Sequence, residues 1–457
     1  MLADKAISRE FLPSKTVLLI GHDIEEKRKE ILEYFHQTYS LYENVYECLK
    51  DDSAFYLRPN TLRHPLIFYF GHTAVFFMNK LNLTGLIKNR IDANLEDMMA
   101  IGVDEMSWDD LDPHHYDWPS VAEVIKYRNI VRDTVDNFIR KCSFTLPIDQ
   151  ASPLWIIMMG IEHERIHLET TSVLLRELPL EYLQKHPNWQ PCRKSGIAPT
   201  NAMIAVNGGN ITLGKDLPNP LYGWDNEYGT RHEEVTPFKA SKYLVSNQEF
   251  LEFVRAEGYK TQRYWTAEGW SWCTDTKTQY PHFWIKNGDN YRYRTMLEEI
   301  PMPWDWPVDI NHLEAHAFCE WKSSQTGKKI RMPTEAEWYM LREMVPTDQP
   351  YWDKAPGNVN LEYYASSCPV NEFEFSQGFF DIIGNVWQWT VTEFEGYDGF
   401  KVHPAYDDFS VPTFDGKHNV FKGGCWASTG NYAIKDSRYA FRRHFFQHSG
   451  LRYIEAS

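Results

Sequence analysis

The chain changes its hydrophobic rhythm once, near residue 190. Before that point apolar residues recur at i, i+3, i+4 and i+7 through four long segments, the period of helices that bury one stripe. The first, DIEEKRKEILEYFHQTYSLYENVYECL, opens at Asp23, a residue type suited to capping a helix N-terminus. The second, HPLIFYFGHTAVFFMNKLNL, is strongly apolar. The third, WPSVAEVIKYRNIVRDTVDNFIRKC, places Ser120 three residues before Glu123, the spacing of a capping box. The fourth, SPLWIIMMGIEHERIHLETTSVLLREL, is apolar on nearly every face of its first half. Four such segments predict a four-helix bundle over residues 1–190.

The stretch KHPNWQPCRKSGIAPTN, residues 185–201, reads as a linker. Beyond it come short strand-like pieces, NGGNITLGK, KYLVSNQEF and GGCWAS, separated by turn-rich runs such as GWDNEYG and NGDNYRYR. LEFVRAEG, INHLEAHAFCEWKSSQ and TEAEWYMLREM are the helical exceptions. Residues 200–457 therefore read as an α+β domain with long irregular loops, without internal repeat or low-complexity segment. A chain of 457 residues exceeds a single core, which agrees with two domains.

Composition narrows the function classes. A net charge of −16 provides no electrostatic footprint for nucleic acid or an anionic membrane, so small-molecule chemistry gains weight. The seven cysteines are scattered and form no CxxC, which argues against a disulfide framework or a structural zinc module and for a reducing cytoplasm. The N-terminal region has the short apolar run TVLLIG without signal-peptide architecture. The longest nearly apolar run, PLIFYFGHTAVFFM, is too short to span a bilayer and reads as a buried helix.

That buried helix carries His72, and the fourth helix carries His163 and His167 in GIEHERIHLETT. Residues four apart share a helix face, where two neutral imidazoles form a bidentate hold on a transition metal. Spacing alone is a weak signal: 17 histidines in 457 residues give about 0.6 HxxxH pairs by chance. His312/His316 and His444/His448 repeat it. The first of these pairs reads as exposed on a helix packed against a sheet, and the second as strand-like. Context favours His163/His167. Glu169 lies about 200° round the helix from His167 and cannot share its metal. His72 is the best third ligand, because an imidazole in an apolar helix needs a reason to be desolvated; its alternative is a core histidine bonded to a carbonyl. His64, beside Pro65, reads as a helix-end residue. Such an open site suits zinc hydrolysis or Fe(II) oxygen chemistry, and spacing does not separate them.

HERIHLE resembles the HxxxHxE signature of the DinB-like bundle of nonheme-iron sulfoxide synthases. RMPTEAEWYMLR, DIIGNVWQWT and FKGGCWAS resemble the formylglycine-generating-enzyme-like domain, a C-type-lectin-related fold. RHPLIFYFGHTAVFFMNKL, VDEMSWDDL, YGWDNEYG and PMPWDWPVDIN are similar to the ovothiol-pathway branch rather than to its ergothioneine-pathway relatives. The resemblance implies an Fe(II) site held by His72, His163 and His167 at the junction of the two domains. It implies use of O₂ to join the sulfur of L-cysteine to the imidazole of L-histidine as 5-histidylcysteine sulfoxide. Within enzymes, the alternatives are an ergothioneine-type synthase acting on hercynine and a thiol dioxygenase.

The loop EGYDGFKVHPAYDDFS matches the family's segment with its active-site tyrosine, best at Tyr406, with Tyr397 the competing match. KDSRYAFRRHFFQH corresponds to the amino-acid-binding segment. It offers Arg442 and Arg443 as carboxylate clamps and Asp436 as a partner for a substrate ammonium. The formylglycine-generating enzymes' own cysteine pair has no counterpart, and Cys425 stands where GGSW commonly has serine. Ovothiol enzymes often continue into a methyltransferase domain, whereas SGLRYIEAS is reached without a Rossmann-like motif; a separate methyltransferase and lyase are expected downstream.

Overall fold

The computed structural model describes residues 15–100 and 116–456. VDEMSWDDL lies outside the described residues. The chain divides into two units. One comprises residues through Trp189 with Pro218–Tyr222 and His403–Asp407; the other comprises Gln190–Leu217, Gly223–Val402 and Asp408–Ser457.

Helices build the first unit: α1 (Ile24–Tyr46), α2 (Leu66–Leu83), the short α3 (Ala93–Met98), α4 (Val121–Lys141) and α5 (Pro153–Glu177). The four long ones are the four segments of helical period. Their caps are local in origin. Asp23 accepts from the amides of Glu25 and Glu26, and Ser120 with Glu123 closes the reciprocal capping box. These bonds satisfy amides that would otherwise lack partners at a helix start. α2 and α5 approach closely where Gly160 faces the Phe77 ring: a Cβ at Gly160 would fall 2.3 Å from Cε1.

Charged residues of α5 are buried too, and Glu162 and Glu164 have partners away from the histidines. Glu164 accepts from Arg128 at 2.9 Å and from Thr73 at 3.1 Å. Glu162 accepts from Tyr34 at 2.7 Å and from Thr16 at 3.1 Å. Such pairing is what makes burying these groups tolerable.

The second unit is α+β. One antiparallel sheet has the order Met203–Val206, Phe238–Ser241, Ile454–Glu455, Ile330–Arg331. Another has the order Tyr439–Arg442, His418–Lys422, Trp387–Glu393, Ser449–Gly450, the last pairing parallel. Its helices are α6 (Asn247–Arg255), α7 (Ala267–Thr276), α8 (His312–Thr326) and α9 (Glu335–Arg342). Trp338, Leu341, Phe379, Ile382 and Ile454 are central to a core that α9 shares with the first sheet.

Several local readings need correction. KYLVSNQEF is not a strand: the pairing strand ends at Ser241, and Ser246 caps α6. GGCWAS follows a strand rather than forming one, because Gly423 and Gly424 adopt φ of +99° and +74°, which L side chains rarely adopt. In NGDNYRYR only the centre turns; Asn287 pairs with Asn290, and YRYR is a strand. α7 escapes the sequence reading, since AEGWSWCTDT has no clean apolar stripe.

Candidate metal centre

His72 from α2 and His163 and His167 from α5 converge, with one ligand atom from each lying within 4.8 Å of the others. All three residues are buried. On α5 the four-residue spacing aligns the pair, and the two Nε2 atoms stand 3.2 Å apart. His72 is oriented from behind: its Nδ1 meets the carbonyl of Met99, at the C-terminal end of α3, at 2.6 Å. A carbonyl accepts, so Nδ1 carries the proton and the lone pair is on Nε2. That Nε2 and the Nδ1 atoms of His163 and His167 have no hydrogen-bond partner among the described residues. The Met99 side chain reaches this position over Gly71, where a Cβ would meet its Sδ at 3.0 Å.

Aromatic rings wall the cluster. Phe76 lies flat on His163, centroids 3.6 Å apart at 8°. Phe68 stacks on His72 at 5.0 Å. Burial pushes the His72 pKa down to about 4, with His64 and Lys80 adding to the fall. Burial likewise holds His163 and His167 well below the ordinary imidazole value, reinforced by the neighbouring imidazoles. Three neutral, converging nitrogen donors fit a first-row transition ion that keeps open positions.

Tyr406 belongs to the same unit through the segment His403–Asp407. Its ring is 6.1 Å from that of His163 and 5.0 Å from that of Phe76. Tyr397 lies in the other unit and donates to Glu335 at 2.9 Å, beneath the Arg438 guanidinium. His64 packs on Phe68 at 4.4 Å and is outside the converging trio. Glu169 is buried.

The remaining candidates lie in the second unit. Arg443 donates to Glu268 and Glu393, each at 3.0 Å, to Asn419 at 2.7 Å and to the Gly416 carbonyl at 2.8 Å. Arg442 ends a strand opposite His418. Asp436, half-buried, helps hold the Glu227 carboxyl up, burial being the larger cause. His312, expected to be exposed, is buried beside Trp389. His444 and His448 are not on a strand; they occupy the turn between Tyr439–Arg442 and Ser449–Gly450. Cys425 is buried with the Ser428 hydroxyl donating to it at 3.4 Å, and all seven cysteines are free.

Sequence reasoning missed Phe76, Lys80 and the Met99 carbonyl. The first two carried a signal: they follow His72 at intervals of four along α2. The third did not, because a carbonyl contact 27 residues away has no sequence signature.

Among the described residues no helix is long and apolar enough to cross a membrane. Residues 34–171 match the DinB superfamily, and residues 191–456 match the sulfatase-modifying factor enzyme 1-like domain. Ergothioneine biosynthesis protein 1 of Schizosaccharomyces pombe is 27% identical over 433 residues, covering 86% of this chain and 51% of that one. Hercynine oxygenase of Mycolicibacterium smegmatis is 29% identical over 301 residues, covering 62% of this chain and 67% of that one. Hercynine oxygenase of Mycolicibacterium thermoresistibile is 30% identical over 285 residues, covering 59% and 61%. The chain thus spans about half the length of the first relative and under two thirds of the last. The fold expectation, a DinB-like helical bundle followed by a formylglycine-generating-enzyme-like domain, agrees with both matches and with the helical and α+β units. Because the second match spans more than half of its residues, the chain belongs to the family of the sulfatase-modifying factor enzyme 1-like domain, here preceded by a DinB-superfamily bundle.

Proposed function

We propose that the chain is an Fe(II)- and O₂-dependent sulfoxide synthase that joins L-cysteine to the imidazole of L-histidine, giving 5-histidylcysteine sulfoxide. The observation that carries this reading is the buried trio His72, His163 and His167 with Tyr406 beside it. When bound, Fe(II) would supply activation of O₂ and a seat for the cysteine sulfur. In the overall reaction the thiol S–H and one imidazole C–H are lost and a C–S bond forms. One oxygen atom ends on sulfur, and the other leaves as water with the two hydrogens. The protein holds its three imidazoles neutral by burial, and Phe76 and Phe68 restrict water around them.

The Tyr406 phenol is the proton donor in this reading. Arg442 and Arg443 are carboxylate clamps and Asp436 an ammonium partner. Of these, Arg443 must exchange bonds to Glu268 or Glu393 to serve. The product would pass to a lyase and a methyltransferase activity, and the setting is cytoplasmic. A second reading, hercynine as acceptor, is favoured by the names of the relatives, ergothioneine biosynthesis protein and hercynine oxygenase.

The test is anaerobic reconstitution with Fe(II), then O₂ with cysteine and either histidine or hercynine, and mass analysis. Histidylcysteine sulfoxide in preference to the hercynine conjugate supports the first reading; the reverse supports the second. Cysteine sulfinate alone overturns both.

A further inference from the structure

Along α2, His72, Phe76 and Lys80 follow one another at intervals of four, so their side chains form a stripe on one face. Its first member belongs to the imidazole trio. Its second, Phe76, lies flat on His163 and also meets the Tyr406 ring edge-on, 5.0 Å away at 62°. Its third places the Lys80 ammonium 4.1 Å from the Tyr406 ring centroid and 5.2 Å from that of Phe76.

Tyr406 sits on a segment with neither helix nor strand. Its backbone is tied locally: the Tyr406 amide donates to the His403 carbonyl at 2.9 Å, and the Ala405 amide donates to His403 Nδ1 at 3.2 Å. His403 in turn stacks over Trp155 of α5, centroids 6.5 Å apart. These contacts place the backbone but do not set the rotation of the Tyr406 side chain. Ring contacts bear on that: the Phe76 and Lys80 contacts come from α2, and the His163 ring of α5 stands farther off at 6.1 Å. A cation over the face of a phenol is attracted by the ring quadrupole, and an aromatic edge against it adds a second direction of restraint.

We infer that Lys80 and Phe76 are positioning residues for Tyr406, Lys80 by cation–π contact with its face and Phe76 by edge contact, so that the helix carrying His72 also aims the phenol toward His163. A consequence follows for specificity. The rigid element that places one imidazole places the phenol too, and the distance between them does not depend on the loop alone. The structural part of the inference stands on the contacts; its effect on products rests on the function proposed above.

The experiment uses the full chain with 3-fluorotyrosine placed site-specifically at position 406. The ¹⁹F resonance is recorded first on metal-free protein. With Lys80 present, one narrow line is expected. Lys80→Met and Lys80→Gln should shift and broaden it, Lys80→Arg should restore it, and Phe76→Leu should broaden it. A line unchanged in both Lys80→Met and Lys80→Gln overturns the inference for Lys80. In the Fe(II)-loaded enzyme with tyrosine at 406, Lys80→Met should move the sulfoxide-to-sulfinate ratio about fivefold toward sulfinate. It should add nothing in a Tyr406→Phe background, because the hydroxyl it positions is gone. An additive effect there means that Lys80 acts on the products by another route and overturns that part of the inference. A ¹⁹F change without any change in products supports the positioning and counts against the role proposed for Tyr406.

Discussion

His163 and His167 bring their Nε2 atoms to 3.2 Å, one helical turn apart on α5. Neutral imidazoles this close either share one proton in a hydrogen bond or share a metal ion. The orphaned Nε2 of His72 beside them favours the second.

Each of His72→Ala, His163→Ala and His167→Ala should abolish iron retention after anaerobic reconstitution, measured as metal per chain. Two imidazoles alone do not fix an open three-ligand site. His312→Ala should keep full stoichiometry, since it lies outside the trio. Iron retained by His72→Ala would move the third ligand elsewhere, with His64 examined first.

Tyr406→Phe keeps the ring against Phe76 and removes the proton. The variant should still consume O₂ but shift product from sulfoxide toward cysteine sulfinate, each 1.4 kcal/mol of differential barrier being about tenfold in the ratio. Tyr397→Phe loses its bond to Glu335 and some stability, yet its ratio should match that of the wild type. A wild-type ratio in Tyr406→Phe would leave that tyrosine a packing residue.

Gly160→Ala tests the approach of α2 to α5. Its new methyl would fall 2.3 Å from the Phe77 ring, so the helices or the ring must move, at a cost of about 1–3 kcal/mol. Thermal unfolding should show the loss, and metal affinity should fall with it, because His72 and His163 ride on the two displaced helices. Adding Phe77→Leu should recover part of both.

Glu164→Ala leaves the Arg128 guanidinium buried with Glu43 as its nearest remaining carboxylate, at 3.2 Å. Denaturant titration should report a loss of about 3 kcal/mol, near the lower end for breaking a buried ion pair. Glu164→Gln should cost less, since it retains an acceptor for Arg128 and Thr73. A loss no larger than that of a surface substitution would mean that Arg128 is held by its other bonds.

His312 supplies a pH dependence. Burial, with Arg443 close by, pushes its pKa from 6.5 to about 3. The folded value is the lower one, so the unfolded chain binds more protons between the two. The contribution is fully present above about pH 6.5 and is lost as pH falls toward 3. Between pH 7 and 5 the loss is about 2 kcal/mol. His312→Phe should flatten the decline of Tm over that interval, and an unchanged slope would remove His312 as a cause.

Local chemistry alone determined the helical half of this protein and half of its candidate site. Asp23 and Ser120 cap their helices through bonds two and three residues away, and His163 meets His167 by helix geometry, so each is legible without knowing the fold. Tertiary structure decided the rest. His312/His316 and His444/His448 have the same spacing as the pair on α5, yet neither pair belongs to the converging cluster. His72 joins that cluster only because Gly160 lets α2 approach α5 and Gly71 lets Met99 reach the ring from behind. Tyr406 reaches His163 across 243 residues of chain, and Arg443 is claimed by Glu268 and Glu393, 175 and 50 residues before it. The physical reason is range: capping and i+4 contacts are set by the backbone period, while these meetings are set by which buried surfaces fit together, and that is a property of the whole chain.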